Sequence, residues 1–371
     1  MHRGVREFIR WVRDHAKDGG TVSMEPPATA QGLSSLEHQL GSPLPADHRL
    51  VLGVFNGATL PSGRLLSAIP GPGHTIDAAL RQIAQFFEQD FLDVELPLPF
   101  HRTSAGSFLC FDRSAAPVQD TWPIVDFDPE SGLLRLTHRT FDGWCRLCVA
   151  EWTSDDFEDE FSVEKYLAQG TRHADIEPDV SIAHVTVAHA HRRAGEPEES
   201  LERYLKAARC VPPISWADWE ALKLAALLRN AGDAFEAGSR LAKRAPPEMW
   251  EERGGTPSQA AFAIAKVAPA GQGQWLRLID LLCDQALDED DKHAAEGIRA
   301  ALNAQAPLPA PHPPAEAEVT PDEDLDVWWA QLCEAYREGS VREDTLLFDV
   351  KLGPLAARFD LADVLRIRRD F

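Results

Sequence analysis

Apolar residues along the chain change their spacing several times, and each change marks an element. Between positions 3 and 15, Val5, Phe8, Ile9 and Val12 recur every three or four residues among charges, which predicts an amphipathic helix. Leu33, Leu36 and Leu40 repeat that spacing in a short helix that Ser34 or Ser35 would cap and that Gly41 would end in the left-handed conformation. Pro43 and Pro45 forbid its continuation, and a second helix opens after Pro45 with Leu50, Val51, Val54 and Phe55 on one face until Asn56 and Gly57 stop it. The stretch 33–57 therefore reads as a buried two-helix corner. A short strand is expected over 65–69, a loop at 71–73, and a helix over 75–89 from Ile76, Ala79, Leu80, Ile83, Phe86 and Phe87. Strand candidates then follow closely at 96–100, 107–112, 123–127 and 133–137, and a helix at 141–151. Short neighbouring strands favour antiparallel pairing, so residues 1–170 predict an α+β domain, an antiparallel sheet with flanking helices.

The rest of the chain predicts an all-α helical-repeat domain. After a linker expected over 168–178, a period near ~34 residues emerges. In its first copy Gly195 takes the turn, Ser200 and Ala207 the small positions, Tyr204 the aromatic one and Pro212 the end. A second copy places Leu224 and Ala225 in its first helix, Gly232 at the turn, and Ala237 and Leu241 beyond it. A third pair over 258–267 and 274–287 continues the rhythm, and 292–303 would cap it. Residues 178–305 thus resemble tetratricopeptide repeats, stacked helix pairs that share a core and leave a concave groove. The groove positions of that resemblance fall on His189, Arg192 and Arg193 in the first unit, and on Trp219, Arg229 and Asn230 in the second. Three arginines on one face either solvate helix ends or capture an acidic or C-terminal peptide, with the chain's own acidic linker as one such peptide. Residues 306–324, rich in proline and acid, predict an extended linker. Beyond it, 325–371 carries Leu325, Trp328, Trp329, Leu332, Cys333 and Tyr336 on one helical face that must pack on something.

A second resemblance lies in the first domain. The Gly-ended helix, the Leu44-Pro45 step and the closing Asn56-Gly57 look like the opening of the SUKH superfamily, which includes bacterial immunity proteins and yeast cell-wall-assembly regulators. Pro99-Phe100, Gly106 before Phe108-Leu109-Cys110-Phe111-Asp112, Pro123-Ile124-Val125, and then Phe141 and Trp144 resemble its later strands and closing helix, over roughly 33–167. The resemblance implies binding of another protein, in bacterial members a polymorphic toxin, often a nuclease.

Charge narrows the partner. The 371 residues carry 59 acidic and 37 basic side chains, a formal net charge of −22, which repels nucleic acid and anionic membrane and favours a basic protein. Asp155, Asp156, Glu158, Asp159 and Glu160, interrupted by Phe157 and Phe161, either form a solvated face or present two aromatic anchors inside a negative field. The first twenty residues lack the apolar run of a signal peptide, and a cytoplasmic location is expected. Six scattered cysteines form no disulfide framework, and Cys145 with Cys148 fits one turn of a buried helix better than half a zinc site. His184, His189 and His191 lack the i,i+4 pair that one metal-binding helical face needs. No nucleophile elbow, phosphate loop or metal motif is found; Asp112, Asp126, Asp128 and His101 read as turn and cap residues. The expectation is a non-catalytic protein without cofactor or metal: an immunity protein that neutralises a basic toxin or, alternatively, an adaptor joining two protein partners.

Overall fold

The computed structural model describes all residues except 1, 18–19, 69–73, 88–95, 118–120, 158–159, 161, 211, 270–272, 314–318, 320, 323 and 370–371. Two compact units emerge, one of residues 1–159 with 172–180, the other of 160–171 with 181–371. The first is α+β and the second all-α.

The first unit runs α1 (Arg3–His15), β1 (Ser23–Met24), α2 (Ala30–Leu40), α3 (Ala46–Val54), β2 (Ala58–Leu60), β3 (Gly63–Leu65), α4 (Ile76–Phe86), β4 (Leu98–Thr103), β5 (Phe108–Phe111), β6 (Ile124–Phe127), β7 (Leu134–His138) and α5 (Phe141–Trp152). The seven strands form one antiparallel sheet in sequence order. Phe111 pairs with Leu98 on one side and Ile124 on the other, and Ile124 pairs in turn with His138. The register slips between Pro99 and His101, where proline offers no N–H to the ladder. Gly41 does take a left-handed conformation, φ 66°, and ends α2, but the N-cap is Thr29, five residues before Ser34 and six before Ser35, the serines expected to serve. The strand expected over 65–69 is displaced: β3 ends at Leu65, the Leu66 N–H donates to the Phe100 carbonyl, and Ser67 forms an isolated bridge to Thr75. The loop at 71–73 lies outside the described residues, as do the last positions of the helix expected over 75–89.

Aromatic rings fill the centre. Phe8 packs on Trp144 and Trp152, and Phe100 lies against Phe111, Phe141 and Trp144. His48 is lodged among Phe100, Phe111 and Phe141, and neither of its ring nitrogens finds a hydrogen-bond partner. Burial holds its pKa down to about 3, and that of His101 to about 4 despite a bond from its ring to the Ser62 carbonyl.

The second unit takes in the first part of α6 (Val163–Ile176), which replaces most of the linker expected over 168–178; a helix forms there because 163–176 is free of proline and buries Val163 and Ala174. It continues with α7 (Ser181–Ala194), α8 (Pro197–Arg209), α9 (Ser215–Leu227), α10 (Ala231–Arg244), α11 (Pro247–Arg253), α12 (Pro257–Val267), α13 (Gly273–Cys283) and α14 (Glu289–Ala304). Gly195 takes the α7–α8 turn at φ 81°, and Ser200 donates to the Ala188 carbonyl across that pair. The α9–α10 turn is made at Arg229, φ 56°, whereas Gly232, expected to make it, sits inside α10. The C-terminal part forms α15 (Leu325–Glu338), α16 (Glu343–Phe348), a 3-10 turn (Val350–Leu352), α17 (Gly353–Arg358) and a 3-10 segment (Leu361–Arg366). Trp328, Leu332, Tyr336, Phe348 and Leu365 belong to the same core as Tyr204, Trp219 and Ile264. The described part of 306–324 is not a free linker. Thr256 and Ser258 donate to the His312 carbonyl at 2.7 and 3.0 Å, and Gln259 to that of Pro313 at 3.0 Å. A proline-rich backbone has acceptors to spare, and the side chains opening α12 use them.

A pH dependence follows from the first unit. His48 and His101 take protons only near pH 3 and 4 when folded but near 6.5 when unfolded, so the unfolded state binds more protons and stability falls as pH drops from 6.5 towards 4. Replacing His48 by Leu removes two unsatisfied buried polar atoms. Urea denaturation of His48→Leu is expected to show a gain of roughly 1–2 kcal/mol at neutral pH and a shallower loss on acidification.

Candidate functional site

The face expected to be an open groove is filled by the chain's own C-terminal segment. α7 delivers Arg192 into the core, where its Nε donates to Glu343 Oε1 of α16 at 2.6 Å, its Nη2 to Glu343 Oε2, and its Nη1 to Glu220 Oε2 of α9 at 3.0 Å. Tyr336 Oη adds a donor to the same Glu343 Oε1 at 2.9 Å, and the Arg369 guanidinium lies 3.7 Å from the centre of the Tyr336 ring. Lys223 bridges Glu220 and Asp344 at 3.1 and 2.8 Å. Burial opposes charge on Glu220, but Lys223 and Arg192 outweigh it and hold the carboxyl at about 2. Burial likewise opposes charge on Arg192, yet Tyr204, Glu220 and Tyr336 raise its pKa.

The other groove residues are committed in the same way. Trp219 is fully buried, stacked on Phe348 with ring centroids 5.9 Å apart and planes 5° from parallel, and it contacts Trp250 edge-on. His189 packs between Tyr204 and Trp216, and burial, with Arg192 nearby, lowers its pKa to about 4. The Arg193 carbonyl accepts from the Arg369 backbone N–H at 2.9 Å. Arg229 stays largely exposed, 3.7 Å from Asp360, and Asn230 caps α10 by accepting from Asp233 N. Of the six residues assigned to a peptide-binding surface, Trp219 is thus a core residue, Arg192, His189 and Arg193 are part-buried, and Arg229 and Asn230 are exposed. The acid that matches Arg192, Glu343, lies 151 residues away, beyond the reach of any local sequence pattern.

The acidic run, whose Glu160 belongs to the second unit, is only partly free. Asp156 pairs with Arg172 at 3.1 Å, and Phe157 packs against the aromatic core. Asp155 and Glu160 are exposed, while Glu158, Asp159 and Phe161 lie outside the described residues. Cys145 and Cys148 sit buried on α5, where burial raises both thiol pKas. Asp112 and Asp128 hold turns through Ser114 and Ser131.

One cluster was not anticipated from the sequence. Glu177, just past α6, places Oε1 on the backbone N–H groups of Arg139 and Thr140 at 2.9 and 3.3 Å, where α5 begins. Its Oε2 meets His138 Nδ1 at 2.7 Å and lies 3.5 Å from His173 Nε2, and the two imidazoles are 4.8 Å apart. Burial alone would raise Glu177, but His138 and His173 outweigh it and hold it at about 2; burial lowers His173. Gly143 makes the room, since a Cβ there would run into the Glu177 carboxylate. The His-x-x-x-Glu spacing of 173 and 177 was visible as an i,i+4 pair, but a linker was expected there. No known family model matches the chain, and no curated protein matches it significantly.

Removing Glu343 would leave Arg192 buried without its main partner, which typically costs about 3–5 kcal/mol. Glu343→Ala is accordingly expected to lower the denaturation midpoint strongly and to red-shift tryptophan fluorescence as α16 leaves Trp219. Arg229→Ala, at an exposed pair, is expected to change stability by less than about 1 kcal/mol. Equal effects of the two substitutions would contradict this assignment.

Proposed function

We propose that this chain is a non-catalytic protein-binding protein, an immunity protein that holds and neutralises a basic toxin such as a nuclease. The carrying observation is a surplus of carboxylates, 59 acidic against 37 basic side chains, in a chain several of whose cations are engaged internally. Arg49, Arg64, Arg172, Arg192, Arg240 and Arg299 each face a carboxylate of this same chain within 3.2 Å. Paired cations do not screen the remainder, so the unmatched carboxylates set the long-range field and favour a partner dense in Lys and Arg. A nuclease presents such a surface to phosphate. The resemblance of 33–167 to the SUKH superfamily supports the immunity reading, and Asp155 and Glu160 remain the exposed candidates of the acidic run. The six free thiols and the absence, among the described residues, of any helix long and apolar enough to cross a membrane favour a cytoplasmic place of action.

The adaptor reading is favoured by a different observation, the two separate cores, each able to serve its own partner. Binding to a basic nuclease domain encoded beside this chain's gene tests the first reading. Association should slow at least about tenfold as salt rises from ~0.1 M to ~1 M and the Debye length shrinks from ~10 Å to ~3 Å. Asp155→Asn with Glu160→Gln should blunt that fall. A complex whose association ignores salt sinks the electrostatic reading, and two unrelated partners, one to each unit, would favour the adaptor.

A further inference from the structure

We propose that His138, His173 and Glu177 form a binding site for a first-row divalent metal ion, with zinc the best fit, that fastens the end of α6 to β7. One ligand atom from each of the three lies within 4.8 Å of the others, in a buried cluster inside the first unit. A tetrahedral zinc with bonds near 2.0–2.1 Å holds its ligand atoms roughly 3.3 Å apart. The 3.5 Å between His173 Nε2 and Glu177 Oε2 already meets that spacing. His138 Nδ1 and the same oxygen share a 2.7 Å hydrogen bond, so the ion takes the place of the proton between them; that proton moves to Nε2 of the ring, and the two atoms separate by well under an ångström.

Two further observations favour a ligand over a plain polar staple. His173 Nε2 is buried yet makes no hydrogen bond, the 3.5 Å approach to Glu177 lacking the geometry for one. An imidazole nitrogen in that position is an unused lone pair or an unused proton, each costly out of water. Glu177 is also pre-oriented. Its Oε1 is held by the Arg139 and Thr140 N–H groups, which aims Oε2 at the histidines, the kind of outer support that metal-binding carboxylates usually have. Two imidazoles with one carboxylate suit zinc and its neighbours rather than calcium or magnesium, which prefer all-oxygen sets. A fourth position is left to water. No catalysis is assigned to the ion: its role is to join residues 35 apart in sequence, His138 and His173. This proposal does not depend on the immunity reading and survives its failure.

The test uses the full-length chain, stripped with chelator and titrated with Zn2+ and, separately, Co2+. One zinc per chain is expected by calorimetry and elemental analysis. The cobalt form should show the intense visible bands of four-coordinate ligation without sulfur-to-metal charge transfer. His173→Gln should weaken zinc binding at least about tenfold. A cobalt spectrum of the pale hydrated ion, sulfur charge transfer that moves the site to cysteine, or zinc affinity unchanged in His173→Gln would each overturn the proposal. Should His173→Gln fail to fold, the cobalt spectrum of the unsubstituted chain decides alone.

Discussion

A carboxylate as deeply buried as Glu343 must be met by donors or cations, and three side chains from distant parts of the chain supply them: Arg192, Tyr336 and Arg369. That requirement organises the second unit. α7 must carry Arg192 inward, α15 must bring Tyr336 over it, and the last turn of chain must return Arg369 to the same place. Phe348, five residues after Glu343, then falls on Trp219 and closes the apolar layer beside the ionic one. Apolar stacking supplies most of the favourable free energy, while the charges fix which arrangement of α15 and α16 is accepted, because any register that strands Arg192 or Glu343 alone is strongly disfavoured.

The first unit solves a similar problem with a different economy of groups. Its core mixes aliphatic side chains with a cluster of aromatic rings, and an imidazole lodged among those rings, His48, makes no hydrogen bond through either nitrogen. Polar fastening is left to the rim, where one carboxylate, Glu177, serves two backbone N–H groups and a histidine. The negative side chain at the start of α5 also meets the positive end of that helix.

Local signals made much of the fold legible. Gly41 and Pro43 announced the α2–α3 corner, the clustered apolar runs announced β4 to β7, and the small and aromatic positions around Gly195 announced the α7–α8 pair. What stayed hidden was non-local. β1 and β2 are too short to show a period and exist only through pairing, at Ser23 with Thr59 and Ala58 with Leu65. Arg229 adopts a left-handed turn without a glycine, which displaced the second repeat's boundary to Gly232. The candidate site suffered most, since Arg192 of α7 and Trp219 of α9 were assigned to an open groove, whereas Glu343 and Phe348 of α16 lie against them. For the His138 cluster, half the signal was local and half came from a strand 35 residues earlier.

Gly195 shows how far such non-local fit constrains a single position. Its φ of 81° already favours glycine, at about 1–2 kcal/mol for a side chain in the left-handed region. The Arg366 carbonyl also rests where its Cβ would be, so the backbone of the returning chain end lies directly on the turn. Glycine is therefore required twice over at this position, once by the turn and once by a neighbour 171 residues later. The two demands are separable: a chain shortened before position 360 would lift the steric one and leave the torsional one. A methyl group at 195 would then act as a wedge that is felt only while the C-terminal end is in place.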